Sequence, residues 1–477
     1  MGNTAFRKVA LVTALSTALL ATAQSADTSS ASNPFHGSVT VHPATAEKMR
    51  LSLDGAVELG LRNNLGLREA ESDLKSFEGQ KKQALQLFLP NITLTADTGA
   101  HQHNLVAVGF GPGVVSQFAK LLGGSLDGFS PITRDELTEG TVQFSQTLFS
   151  GPVIAGWKAA GAAERAAHFG VTRARGEVVQ QVATTYLYCL AAQAEVDQAQ
   201  AQLASSREFE RQAVEAHAAG VAANLDELRA KVERQAREQA LISAQNTFEK
   251  TLILLKREIG LDPGQQIELT DPAPYSALAE QNLDELKATA YRYRQDYQKL
   301  QNESVEMAAL HTAYRAQRLP SLSFNGQYAV SQVGGAGSHG NFIAAGAISM
   351  PLFREAKLRG DIDVAAAQQR ATLAQLADKR TEIEEQLRMA LLDIDAGQKL
   401  VDVARSNVEL AIRALADESS RVSAGVDDNL PLVEAQTALS SAQSNQIESL
   451  YQYNVAKLEL ARATGLIEQQ YKSYLGQ

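Results

Sequence analysis

The sequence predicts a mainly α-helical chain with four β-strands of membrane-crossing length, its helices including very long supercoiled rods and its strands too few to close alone. Three observations lead there. Short landmarks recur in order through the two halves, a seven-residue apolar period runs through a very long helical segment, and two alternating stretches interrupt the helical pattern. The 477 residues carry 44 Lys+Arg against 54 Asp+Glu, a net charge of −10, which argues against a phosphate-backbone binder; no nucleic acid is expected as a partner. One cysteine excludes a disulfide framework and a multi-thiolate metal site.

Residues 1–26 read as an export signal. Arg7 and Lys8 precede the apolar run Val9 to Leu20, and Ala21-Thr22-Ala23 offers a small-residue cleavage site, with Ser25 and Ala26 as a near alternative. The run is well short of the roughly 20 apolar residues that span a bilayer, and no cysteine follows it to take a lipid anchor. Residues 27–50 form an N-terminal extension. Any membrane insertion of the remaining chain must therefore use strands.

The body of the chain is one unit written twice, 51–261 and 283–466, joined by a linker at 262–282 and followed by a tail at 467–477. Leu53-Asp54 recurs as Leu283-Asp284 and Leu89-Pro90 as Leu319-Pro320, both 230 residues on. Leu148-Phe149 recurs as Leu352-Phe353 after 204 residues. Ala219-Gly220-Val221 recurs as Ala424-Gly425-Val426, and Gly260-Leu261 as Gly465-Leu466, after 205. The drop of about 26 marks an insertion in the first copy, within Gly-rich sequence near 105–135, read as a longer outward loop that is either a plug or plain surface.

Each unit reads as helix, strand, loop, strand, very long helix, tight turn, helix. Between 387 and 422, every seventh residue is Leu, Ile, Val, Val, Leu and Val, while the stripe at 390, 397, 404 and 411 is Ala, Gly, Ala, Ala. A strict seven-residue period supercoils helices, and small residues admit close neighbours. The segment from about Ala356 to Ser423 extends on the order of 100 Å at 1.5 Å per residue. Val182, Cys189, Val196 and Leu203 carry the period in the first copy, which makes Cys189 a packing residue.

Before each rod the pattern alternates. Leu322, Phe324, Tyr328 and Val330 share one face of an extended chain, opposite Ser321, Ser323, Asn325 and Gln327; Ile92, Leu94 and Ala96 repeat this opposite Thr93, Thr95 and Asp97. Returning strands near 139–149 and 341–353 complete hairpins within 88–150 and 319–353, and Pro90 and Pro320 mark the helix-to-strand junctions. Four strands cannot close, because the narrowest barrels have eight and an open edge in lipid leaves backbone groups unpaired. Two chains would supply eight strands, a barrel filled by its own side chains; a homotrimer supplies twelve, the smallest assembly with an aqueous lumen.

On these features the chain resembles the TolC-type outer-membrane efflux family over roughly residues 50–466. Its most recognisable pieces are the turns Ala218 to Leu228 and Ser423 to Glu434, one after each rod. The resemblance implies a homotrimer with a twelve-stranded barrel in outer-membrane lipid and a helical tunnel in the periplasm. It further implies a passive conduit for efflux or type I secretion, working with a periplasmic adaptor (membrane fusion) protein and an inner-membrane pump. The turns at Gly220, Val221, Gly425 and Val426 would face the adaptor. Family acids beyond this Gly narrow the entrance and bind cations; Asp226 matches one position and Glu434 another, whereas the alternate places hold Pro431 and Arg229. The other reading of both acids is that they favour the positive end of the following helix. Gly220 and Gly425 suit a helix end and Asn224 or Asn429 a cap.

No catalytic constellation is expected and no cofactor. Gly109-Phe110-Gly111-Pro112-Gly113 contains a G-x-G, but its proline and the lack of a following amphipathic helix with a lysine argue against a phosphate cradle. His101 and His103 share a strand face without a third ligand nearby, so no metal site is expected. The alternative to a conduit is a coiled-coil structural or adhesive protein of the periplasm or cell surface, which has no need of four bilayer-length strands.

Overall fold

The computed structural model describes residues 29–124, 130, 132–220, 223–334, 337–424 and 429–476. The expected signal and the tip residues Val221, Gly425 and Val426 lie outside them. The first half runs Met49–Leu51 (β1), Leu53–Asn63 (α1), Leu65–Gln86 (α2), Asn91–Asn104 (β2), Pro112–Leu121 (α3), Ile132–Phe149 (β3), Gly151–Ala218 (α4) and Asn224–Ile259 (α5). The second runs Ile267–Leu269 (β4), Leu283–Tyr293 (α6), Gln295–Ala316 (α7), Ser321–Val333 (β5), His339–Ser349 (β6), Glu355–Ser423 (α8), Asn429–Ala463 (α9) and Ile467–Leu475 (α10).

The rods α4 and α8, of 68 and 69 residues, are each about 100 Å long and organise everything else. On one side of mid-length α4 packs against α2 and α7, and α8 against α7; on the other side α5 packs on α4, α4 on α9 and α9 on α8. The seven-residue stripe is the buried one: Val182 and Cys189 in α4, and Leu387, Ile394 and Val401 in α8, all face inward. Its companion stripe of small residues serves close approach. A Cβ on Gly397 would meet the Tyr453 ring at 3.2 Å and the Tyr453 backbone at 3.3 Å, so α8 and α9 nearly touch there.

Strands β2, β3, β5 and β6 form one antiparallel sheet in that order. Its registers repeat the sequence offsets: Leu94 faces Val142 in the first hairpin, and the residues 230 and 204 further on, Phe324 and Gly346, face each other in the second. Pro90 and Pro320 sit immediately before β2 and β5.

Several features differ from the sequence reading. The helix preceding each hairpin is two helices, broken at Asn64 and Arg294, which stand 230 residues apart with extended backbones (ψ 135° and 119°). Asn64 caps α2 by accepting from the Gly66 and Leu67 amides and donates to Phe35 O. Gly260 and Gly465, at φ +79° and +81°, press on these breaks: a Cβ would strike Asn63 in one and the Arg294 backbone in the other. Strand β3 begins at Ile132, earlier than expected, because the insertion extends the first hairpin through paired residues before it loops. That insertion contains α3, so the expectation that no amphipathic helix follows Gly109–Gly113 was wrong; Pro112 opens the helix at its first turn, where a missing N–H costs nothing. Lys120 lies in its last turn, far from the helix start where a phosphate cradle needs a cation.

Residues flanking the units are built in. β1 and β4 pair in parallel, and His42 bridges Leu261, so the N-terminal arm and the inter-repeat segment tie down the middle of the bundle. There the largest core gathers Leu51, Val178, Val182, Tyr186, Leu255 and Leu458. Burial pushes the Cys189 thiol well above its usual range, with the Glu258 charge adding to the shift, so it is inert packing.

Candidate functional site: the open sheet and the helical tip

Two places on the molecule are shaped for something beyond packing. The first is the sheet, whose faces differ in chemistry. One carries Ile92 and Leu94 on β2, Val142 and Phe144 on β3, Leu322, Phe324 and Tyr328 on β5, and Phe342 and Ile348 on β6, aligned by register into continuous rows. Many are open to the surroundings: Leu94 is 72% exposed, Phe342 77% and Ile348 78%. The other face carries Asn91, Thr93, Thr95, Gln143, Ser145, Asn325 and Gln327. From Leu322 to Val330 the apolar rows run roughly 26 Å at 3.3 Å per residue, close to the apolar band of about 25 Å on outer-membrane barrels. The edge strands β2 and β6 each have only one neighbour in the sheet.

The second place is the far end of the rods. Rod α4 ends as Gly220 takes φ +75° and donates from its amide to His217 O at 2.9 Å. The cap of α5 is Ala223 rather than Asn224, with no side-chain hydrogen bond, and Asn224 is its first helical residue. Phe209 and Ala213 of α4, Ala230 of α5 and Leu432 of α9 form a small core beside Leu415 and Val422 of α8, which fastens the two tip hairpins together.

The two candidate acids meet different surroundings. Asp226 lies in the first turn of α5 with its Oδ1 3.6 Å from Arg229 Nη1, and Glu434 is exposed on α9. Arg229 is the residue 205 positions before Glu434, so the first repeat places a base, paired to its own acid, where the second places an exposed carboxylate. Glu227 reaches His217 across the turn at 4.0 Å.

Sequence reasoning missed a polar seam between the hairpins, above the tip. Arg237 of α5 donates to Gln202 Oε1 on α4 at 3.2 Å, and to Ser440 Oγ and Thr437 Oγ1 on α9 at 3.0 and 3.2 Å. Gln198 of α4 donates to Ser440 O at 3.0 Å and to Ser444 Oγ at 3.4 Å. In sequence these residues look like any solvated helix face, and no local signal separates them. Among the described residues no group of three or more His, Cys, Asp or Glu is placed to hold a metal ion, and no helix is long and apolar enough to cross a membrane.

The chain matches the outer membrane efflux protein family over residues 56–261 and 306–466, which takes in both hairpins, both rods and both tips. It belongs to that family. This outer membrane efflux protein is 24% identical over 411 residues to Nodulation protein T of Rhizobium leguminosarum bv. trifolii, covering 84% of this chain and 82% of the relative. Its fold is shared with solved structures. The CmeC outer membrane channel of Campylobacter jejuni superposes with a TM-score of 0.72 at 16% identity, covering 89% of each chain. The outer membrane protein VceC of Vibrio cholerae does so at 0.73 and 19% identity, over 87% of this chain and 96% of that one. Family membership places the efflux protein in the outer membrane and makes export its activity.

Proposed function

We propose that this protein is a passive homotrimeric conduit, three chains pooling twelve strands in the outer membrane and their rods in a periplasmic tunnel. The observation that carries the reading is the sheet: apolar on one face, polar on the other, of membrane height, and unpaired at both edges within one chain. A single copy cannot sit in lipid with those edges open, and a closed ring of copies leaves none. The polar face then lines the lumen. Such a conduit needs no chemistry of its own; an inner-membrane pump would supply the energy and a periplasmic adaptor would join it at the tips, around Gly220, Val221, Gly425 and Val426. Asp226 and Glu434, repeated by three-fold symmetry, form the entrance rings whose repulsion bound cations relieve. Residues 1–26 contain the export signal, which is removed by cleavage after the small residues at 21–23 or at 25–26.

Outer-membrane fractionation followed by gel electrophoresis with and without heating tests the assembly. A heat-sensitive high-mass band that forms conducting pores in planar bilayers is expected; release of a monomer by salt wash, without detergent, would overturn the reading.

A further inference from the structure

The segment that joins the two repeats straps a cleft in the middle of the bundle. Residues 273–278 are held on α9 where Asn454 Nδ2 donates to Pro274 O at 2.8 Å, Tyr453 Oη donates to Ser276 O at 3.2 Å, and the Leu278 amide donates to Tyr453 Oη at 3.0 Å. Tyr275 in the same segment reaches α8, its hydroxyl 3.4 Å from Asp402 Oδ1 and its ring centre 4.7 Å from Arg405 Cζ. This strap closes one side of a cleft of about 200 Å³ between α4, α8 and α9. The walls include Leu187 and Leu190 of α4, Val401 of α8, and Ile447 and Leu450 of α9.

One polar group in that wall is left over. Asn454 is 1% exposed and lines the cleft; its Nδ2 donates to Pro274 O, and its Oδ1 is buried without a hydrogen-bond partner. Flipping the amide gives no relief, because Oδ1 would then face the Pro274 carbonyl, acceptor against acceptor. A buried acceptor left unpaired is costly, and native structures keep few of them. The residue 205 positions earlier is Glu249, exposed on α5, so the repeat unit itself does not call for a buried amide here.

The chemistry of the cleft narrows what would pair with that oxygen. Leucine, isoleucine and valine walls, flanked by Tyr275 and Tyr451, favour a flat apolar body. An apolar cavity of about 150 Å³ accepts benzene, so this cleft has room for one ring or two fused rings. Oδ1 can only accept, so the ligand must donate. Arg405 also lines the cleft and opposes a cationic donor, which leaves a neutral one. We propose that the cleft is a binding site for a small neutral aromatic bearing one hydrogen-bond donor, phenol or naphthol in class, with its hydroxyl on Asn454 Oδ1 and its ring between Leu187, Val401 and Ile447. The site is complete within one chain and does not depend on the trimer. Its walls come from helices of both repeats, so a bound ring favours the arrangement in which α4, α8 and α9 stay together.

Equilibrium dialysis of labelled naphthol against the detergent-purified protein tests it. Saturable uptake of one naphthol per chain is expected, over a background into micelles that does not saturate. The methyl ether keeps the rings and loses the donor, and is expected to bind about tenfold more weakly. Ala191→Phe and Ala194→Phe each project a ring into the cleft from α4, and are expected to lose the saturable uptake while keeping the helical circular dichroism signal. Equal saturable uptake of naphthol and its methyl ether overturns the hydrogen bond to Asn454, and uptake retained in both phenylalanine variants overturns the cleft as its place. No saturable uptake by the unmodified protein overturns the proposal outright; if Ala191→Phe then also loses the heat-sensitive high-mass band, a side chain of the partner subunit fills the cleft instead.

Discussion

Lys457 is fully buried on α9, with its Nζ 3.0 Å from Ser276 O and 4.6 Å from the centre of the Tyr453 ring. Burial lowers its pKa from 10.5 to about 8. Because the folded value is depressed, the folded chain favours the neutral amine: stability from this group is full above about 10.5, and is lost as pH falls through about 8. At pH 7 the penalty is fully expressed, about 3 kcal/mol at 1.4 kcal/mol per unit. Lys457→Met is therefore expected to raise the thermal midpoint at pH 7 and to flatten its rise between pH 8 and 10.5, measured by circular dichroism; Ser276 O keeps the Tyr453 hydroxyl as a donor at 3.2 Å. Gly397 gives the opposite sign. Gly397→Val puts two methyl groups into the Tyr453 contact and is expected to cost about 1–3 kcal/mol, seen as a lower midpoint in the same measurement. The small-residue stripe containing Gly397 was legible in the sequence because its period matches that of the apolar stripe. Lys457 was not, since a lysine on a long helix normally faces water.

At the scale of elements, the hairpins were legible because helical periodicity gives way abruptly to alternation at Pro90 and Pro320, and the rods because a seven-residue apolar period resumes beyond each hairpin. The breaks at Asn64 and Arg294 were not: one extended residue leaves the apolar period intact on both sides, and only Asn64 carries a side chain that caps. Helix α3 was read as loop because glycines and a proline flank a short apolar run. The tip is half legible. Its Gly turn and acids could be named, but the pairing of Asp226 with Arg229 depends on a helical turn rather than on a motif. That pairing ranks the two acids. Arg229 offsets the charge of Asp226, whereas Glu434 stands exposed, so if both acids line the proposed entrance, Glu434→Ala is expected to weaken divalent-cation block of conductance more than Asp226→Ala, and the double variant most of all. Block unchanged in the double variant would remove both from the entrance.

For the whole molecule, everything depends on which face of the sheet meets lipid, and neighbouring residues on one strand answer it. Phe342 belongs to the row Leu94, Val142, Tyr328, and Ile343 to the row Thr93, Gln143, Gln327. Both are apolar and exposed in the single chain, at 77% and 61%, so neither hydropathy nor exposure tells them apart; only register does. In the proposed closed barrel the Phe342 row would face acyl chains and the Ile343 row the water-filled lumen. A lysine on the lipid face costs about 2–4 kcal/mol at the bilayer midplane and less toward the interfaces, so at Phe342, between the middle of the apolar band and its end, it costs about 1–3 kcal/mol, repeated three times in a trimer, while a lumenal lysine remains hydrated. Phe342→Lys is expected to abolish most of the heat-sensitive high-mass band in outer-membrane fractions, and Ile343→Lys to keep it while shifting pore selectivity toward anions in planar bilayers. The reverse pattern would turn the sheet inside out, and equal tolerance of both would mean that neither face meets lipid.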